Sequence, residues 1–346
     1  MKFGMITLGA NVPSTRFRFL PYLEPLQQRG HSCRLWNAFP PVYDYFPTIG
    51  WRASTALKRT VRWCQYLQAR WFRPDTIYLE RGCFHDASVW LDDRFRKLTP
   101  RLVLDVDDGV FLQFPDKIRH LIQISDHVIV SNANIARYAE QFGKPITEIP
   151  TCVSLARYPL RSIPESPSQK TVLGWIGTTS NLRYLEHCAT ALRRLARERD
   201  FQLLIVAPQR EALDAIDLTG VSIRFEPWSP KTEIQHLQQM DIGLMPLADD
   251  QEWTKYKAAT KLVQYLASGI AAVASPVGVN AEILKGNQAG LAAVTQEDWF
   301  ECLRLLIDDP ALRRRLAQTG RTLVESRYCI EANLSLLESV LCGPAK

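Results

Sequence analysis

The sequence predicts an α/β fold of two doubly wound domains whose parallel sheets face a central cleft. Three observations carry that expectation. Short apolar runs alternate with amphipathic segments from end to end, the pattern of βα units on a parallel sheet. The 346 residues exceed what one core usually supports. A stretch rich in Pro and Ser, residues 158–169, interrupts the alternation near its middle and reads as an exposed connection.

The elements follow in order. Residues 3–8 are a compact apolar run closed by Gly9, and residues 16–30 continue with apolar positions at helical spacing and a terminal glycine. The pattern repeats as strand 32–36, helix 54–72, strand 76–80 and helix 86–97. Residues 101–105 and 126–130 continue the sheet, Asn132 caps a helix that runs to Phe142, and Pro145 to Pro150 closes the first domain. Beyond the connection, strands at 172–176, 202–206, 221–225, 242–245 and 271–274 form a second series with helices between them. No short repeat is visible, which excludes solenoids and propellers.

Bulk composition narrows the class without naming a function. Hydrophobic residues at 46% and charged residues at 23% are ordinary for a globular chain and exclude disorder, collagen and coiled coil. The net charge of +6 is spread over segments such as 193–199 and 313–315 that read as solvated helix faces. A weak basic excess also suits an anionic lipid surface or a diphosphate, whereas no motif supports nucleic-acid binding. The eight cysteines show no CxxC pair and no metal-ligand spacing, so they read as thiols in a reducing compartment. Residues 1–9 are too short for a secretion signal or a membrane span, and a cytoplasmic location is expected.

Ligands of open parallel sheets bind beyond the carboxyl ends of the strands, which directs attention to four loops. Residues 9–15 are small and polar and lead into Arg16 and Arg18; they admit a ligand close to the backbone, or are a simple turn. Residues 105–109 set Asp105, Asp107 and Asp108 together, where like charges need water, cations or a ligand, or else form a turn cluster. A second acidic cluster to complete Mg²⁺ coordination is not evident, so no metal is expected. Residues 175–181, WIGTTSN, end a strand and open a helix, a setting that favours anions or a plain N-cap by Ser180 or Asn181. Residues 249–280 carry Trp253, Lys255, Lys257 and Lys261. Lys257 and Lys261 are four apart; if the helix begins early they point the same way and neutralise a diphosphate, and otherwise they are solvated.

The runs 240–247 (MDIGLMPL), 257–269 (KAATKLVQYLASG) and 274–283 (ASPVGVNAEI) closely resemble the family 4 glycosyltransferases. In the N-terminal half, 14–18 (STRFR), 104–109 (LDVDDG) and 125–132 (SDHVIVSN) resemble a bacterial branch of the same group, so the resemblance spans nearly the whole chain. It implies a GT-B fold of two Rossmann-like domains and a retaining, metal-free reaction on a nucleotide-diphosphate sugar. It also implies a last helix, residues 330–341, that crosses back onto the first domain. The expected division is 1–160 for the acceptor, 161–326 for the donor and 327–346 for the crossing helix. Many relatives bind the donor through two glutamates eight positions apart; Tyr256 and Gln264 stand there, and only Gln264 retains groups suited to ribose hydroxyls. Asp107 falls near the position of a histidine that lies close to the reacting sugar carbon in several relatives.

These readings assign Asp107, Lys257 and Lys261 to catalysis. Gly9, Gly177, Thr178, Asn181, Trp228, Lys257, Lys261 and Gln264 are assigned to the donor. Arg16, Arg18, Glu80, Arg81 and Asp108 are assigned to the acceptor, whose expected character is phosphate-bearing or acidic. The expected function is transfer of a sugar from a nucleotide sugar to a glycan or lipid-linked acceptor in cell-envelope polysaccharide or glycoconjugate synthesis. It takes place in the cytoplasm with peripheral membrane association, and the linker near Tyr158 serves as hinge. The alternatives are a hydrolase or epimerase of the same architecture, and a non-catalytic nucleotide-sugar-binding subunit, to which Tyr256 lends support. A dinucleotide-dependent oxidoreductase stands further off, since no GxGxxG follows the first strand.

Overall fold

The central strands of both sheets are short apolar runs buried on both faces, which only a sheet covered by helices on each side can accommodate. The computed structural model describes residues 1–161, 170–249 and 251–344. The chain divides into two units, each with its own sheet and core. Unit 1 holds Met1–Cys152, Tyr256–Ala258 and the stretch from Ile330, and unit 2 holds Val153–Lys255 and Ala259–Cys329.

Unit 1 contains β1 (Lys2–Thr7), β2 (Ser32–Asn37), β3 (Thr76–Glu80), β4 (Arg101–Val106), β5 (His127–Val130) and β6 (Ile146–Glu148). They form one sheet in the order β2-β1-β3-β4-β5-β6, and every pairing is parallel. Its helices are α1 (Pro13–Arg18), α2 (Leu20–Gln28), α3 (Gly50–Phe72), α4 (Trp90–Arg96), α5 (Val110–Gln113), α6 (Pro115–Ile124) and α7 (Ala133–Glu140). The single helix expected over 16–30 is two, because the chain turns at Phe19 (φ −130°) just before Pro21. Asn132 caps α7 as expected, its side chain accepting from the amides of Asn134 and Ile135. Helix α6 has no counterpart among the predicted elements, although Pro115 at its first turn is a recognised start signal.

Unit 2 contains β7 (Thr171–Ile176), β8 (Phe201–Ala207), β9 (Ile223–Pro227), β10 (Ile242–Met245), β11 (Ala271–Ala274) and β12 (Leu291–Ala292). The order is β12-β11-β10-β7-β8-β9, again wholly parallel. Its helices are α8 (Glu186–Glu198), α9 (Glu233–Leu237), α10 (Thr260–Ala267), α11 (Val279–Ile283), α12 (Gln296–Asp308) and α13 (Pro310–Leu323). A capping box between Thr295 and Asp298 starts α12. The core gathers Trp175, Leu203, Ile205, Leu244, Val273, Trp299 and Leu303, all essentially buried.

The last helix, α14 (Ile330–Cys342), packs into the core of unit 1, where Leu337, Val340 and Leu341 join Phe3, Met5, Phe19 and Tyr22. Burying a side chain of this size stabilises by about 1.5–3 kcal/mol. Thr76 Oγ1 donates to the Leu341 carbonyl at 2.7 Å and Arg101 Nε to that of Val340 at 3.0 Å.

The connection expected at 158–169 is partly corrected. Residues 162–169 lie outside the described residues. Tyr158 is fully buried in unit 2, its hydroxyl donating to Glu233 Oε1 at 3.2 Å and accepting from Gln264 Nε2 at 3.0 Å.

Strand order locates the crevices. In each sheet the chain leaves the first strand in one direction and later resumes on its other side. A ligand is received at that reversal, beyond the carboxyl ends. It lies between β1 and β3 in unit 1, and between β7 and β10 in unit 2.

Candidate active site

At the reversal of unit 1 the polar side chains are buried and committed to one another. Glu80, at the end of β3, accepts from the Leu8 amide at 3.0 Å and from Thr15 Oγ1 at 2.6 Å. Asp105 accepts from Arg18 Nε and Nη2, both at 2.6 Å, and from the Tyr78 hydroxyl, while Arg18 Nη1 donates to the Ile149 carbonyl at 2.8 Å. Arg81, in a left-handed conformation (φ 54°), donates through Nε and Nη2 to both oxygens of Asp107 and through Nη1 to Tyr43. Asp108 lies 3.8 Å from Arg81 and is more open, with 23% of its side chain exposed.

The three carboxylates that crowd residues 105–109 are therefore balanced mainly by two arginines. Burial pushes Asp107 up, but Arg81 and then Arg18 outweigh it and hold the carboxyl below its usual range. Burial raises Asp108, with Arg81 and Lys257 opposing. Burial, followed by the neighbouring Asp107, pushes Glu80 up to about 7.

Several expected roles change accordingly. Arg18 and Glu80, assigned to the acceptor, are interior side chains that tie α1 to the ends of β3 and β4. Arg16 is 9% exposed and packs over Phe17. Arg81 and Asp108 remain at the surface of the crevice, the former holding Asp107. Asp107, assigned to catalysis, accepts from Arg81 at both oxygens. Gly9 (φ 138°) stands where a Cβ would lie 2.8 Å from Pro41.

The reversal of unit 2 is built differently. Tyr265 on α10 joins the two central strands, its hydroxyl donating to the Leu244 carbonyl and accepting from the Ile176 amide, both at 3.1 Å. Its ring lies against Gly243, where a side chain would collide with it. Beyond β7, Gly177 lets Lys261 come close: a Cβ on that glycine would meet Lys261 Cε at 2.5 Å and the Trp175 ring at 2.7 Å. The Lys261 ammonium lies 5.2 Å from the centroid of the same ring. Thr178 is extended and leads into a 3₁₀ helix, Thr179–Leu185, whose first amides its side chain does not cap. Its Oγ1 instead accepts from Asn181 Nδ2 at 2.8 Å. Gly177, Thr178, Asn181 and Lys261, named from sequence, thus meet at one strand end.

The expected pairing of the two lysines is corrected, and the other donor assignments take the following places. Helix α10 begins at Thr260, and Ala259 before it is left-handed (φ 54°), so Lys257 lies off the helix and does not share a face with Lys261. Lys257 belongs to unit 1, beside Asp108. Gln264 is buried with its amide on Tyr158. Trp228 follows β9 at the sheet edge, away from the β7/β10 reversal, and donates to Glu233 Oε2 at 2.9 Å. Sequence reasoning missed Tyr265 and Trp175 as supports of the crevice; aromatic residues inside apolar runs read only as core.

Residues 170–309, which contain this whole constellation, match the family described as Glycosyl transferases group 1. The protein is a glycosyltransferase. No curated protein sequence matches the chain. Among solved structures, sucrose-phosphate synthase (tll1590) from Thermosynechococcus elongatus is similar with a TM-score of 0.73 at 13% identity, over 98% of each chain. Anabaena Alr3699/HepE in complex with UDP and glucose gives 0.68 at 12%, over 99% of each chain. WaaG, a glycosyltransferase involved in lipopolysaccharide biosynthesis, gives 0.65 at 14%, over 99% of this chain and 100% of that one. The architecture of this glycosyltransferase is GT-B, two six-stranded parallel sheets clad in helices.

Proposed function

We propose that the enzyme is a family 4 glycosyltransferase of a bacterial branch that moves a sugar from a nucleotide diphosphate to a glycan or lipid-linked acceptor. Transfer proceeds with retention and without metal, in the cytoplasm, toward a cell-envelope polysaccharide or glycoconjugate. The observation that carries the reading is Lys261 held between Gly177 and Trp175 at the β7/β10 reversal, beside the turn whose first amides the Thr178 side chain leaves uncapped. As the bond between the sugar carbon and the diphosphate breaks, negative charge gathers on the leaving oxygens. A fixed cation and backbone amides aimed at that charge need no reorganisation, and one such donor is worth roughly 3 kcal/mol. Trp175 and Tyr265 keep the lysine and the strand ends in place.

The structure of HepE with UDP and glucose and the stated pathway of WaaG support a uridine nucleotide sugar and an envelope acceptor. In unit 1, Arg81 and Asp108 are the groups left to meet the acceptor, with Lys257 beside them as a further cation and Arg16 behind. The test is sugar transfer from a panel of nucleotide sugars in the presence of a chelator, with the anomeric configuration of the product read by NMR. Acceptor-dependent transfer with retained configuration is expected. Donor cleavage indifferent to acceptor marks a hydrolase instead, and dependence on added metal removes the central role of the lysine.

A further inference from the structure

Helix α3, 23 residues long, buries a cation on its inward side and exposes large apolar side chains on its outward side, which a soluble helix rarely does. The residues it buries are Ser54, Arg62 and Ala69. Arg62 is 1% exposed and its guanidinium donates to the carbonyls of Cys83 (3.1 Å), Trp36 (2.7 Å) and Thr7. The helix is thus fastened to the sheet by a buried cation. Projected at 3.6 residues per turn, Ala56, Thr60, Trp63, Leu67 and Trp71 fall within an arc of about 80° on the outward side. Their large members stand in solvent: Trp63 at 38%, Leu67 at 41% and Trp71 at 89% exposure.

The charges on this face are of one sign. Gly50–Phe72 contains no Asp or Glu, and Arg52, Arg59 and Arg70 run along one edge of the apolar stripe, all exposed. Arg59 is 3.4 Å from Asp86, a half-exposed pair of little weight. Trp63 lies beside Tyr66 and beneath Arg94, 5.1 Å from its ring, which adds another cation.

We propose that this outward face of α3 seats the protein on an anionic lipid surface. Tryptophan rings favour the headgroup level and leucine the acyl boundary below it, while arginines at the edge meet lipid phosphates. A second copy of the same face would bring arginine rows of like charge together, which disfavours self-association. The inference deepens the functional reading, since a lipid-linked acceptor is presented at such a surface, and it rests on that reading for its purpose though not for its test.

Co-sedimentation of the full chain with vesicles of phosphatidylglycerol and phosphatidylcholine in equal parts decides it. Binding is expected to the mixed vesicles, to weaken with salt and to be slight with phosphatidylcholine alone. Replacing Leu67→Glu and Trp71→Glu together, both surface positions, should lower partition by at least about tenfold with an unchanged circular dichroism spectrum. Partition that ignores lipid charge, or that survives the double change, overturns the proposal. So does a concentration-dependent dimer abolished by the double change in a protein that leaves vesicles untouched, which would make the occupant a second copy. Nucleotide binding by the double variant should match the parent, so failure at the membrane and failure of the glycosyltransferase reading remain separable.

Discussion

The two strand-order reversals share a geometry and differ in how they treat charge. That of unit 1 is crossed by buried ion pairs, Arg18 with Asp105 and Arg81 with Asp107. That of unit 2 sets Lys261 against a glycine and an indole ring, next to the turn that Thr178 opens. The first crevice is braced by ion pairs buried within it, whereas the second seats a lysine on a glycine and an indole ring at the strand end. The difference teaches that two sheets of like topology can furnish the same reversal with different side chains, buried ion pairs in one and a lysine packed on glycine and indole in the other.

Asp105→Asn strikes the first half of that contrast hardest. It leaves Arg18 buried beside a neutral amide, and chemical denaturation should show a loss of about 3–5 kcal/mol. Lys261→Ala strikes the second half and should do the reverse, leaving the melting temperature near that of the parent while turnover falls by about 10²–10³. If the stability loss appeared at Lys261 and the activity loss alone at Asp105, the division would be the wrong way round.

Glu80 sharpens the picture of unit 1 through pH. Its folded value of about 7 lies above the ordinary 4.5, so folding favours the protonated carboxyl. The stability it contributes is complete below pH 4.5 and is lost as pH rises through about 7, a swing of at most about 3 kcal/mol. The difference in unfolding free energy between the parent and Glu80→Gln, followed across that window, should carry this slope. A flat difference would mean that Glu80 is ionised throughout. The smallest effect is expected at Lys257. Its removal takes away a cation that opposes burial at Asp108, so the Asp108 carboxyl should titrate at higher pH by NMR. Turnover should fall by less than about tenfold, as for a single partly solvated charge.

Much of the fold was legible because buried parallel strands are short apolar runs. Thr76–Glu80, Ile242–Met245 and Ala271–Ala274 lie where alternation and apolarity place them. The split of the helix over 16–30 was hidden because Pro21 and Pro25 both fit inside α2, so neither marks the break at Phe19. Near the β7 end, Gly177, Thr178 and Asn181 were named from a strand end and small residues, and Lys261 from its spacing to Lys257; the structure brings Lys261 to Gly177 and Asn181 to Thr178. The expected pairing of Lys257 with Lys261 failed on one backbone angle at Ala259, an alanine that no local rule assigns to the left-handed region. Arg18 and Glu80 looked like ligand groups because their partners, Asp105 and Thr15, are 87 and 65 residues away and the link exists only once the sheet has formed.

The most direct test of the central claim is calorimetric titration of nucleoside diphosphates into the parent and Lys261→Ala proteins, in buffer containing a chelator. One nucleotide is expected to bind the parent without metal, and the substitution is expected to weaken it by at least about tenfold. Equal affinity in both proteins, or no binding by any nucleotide, would contradict the claim.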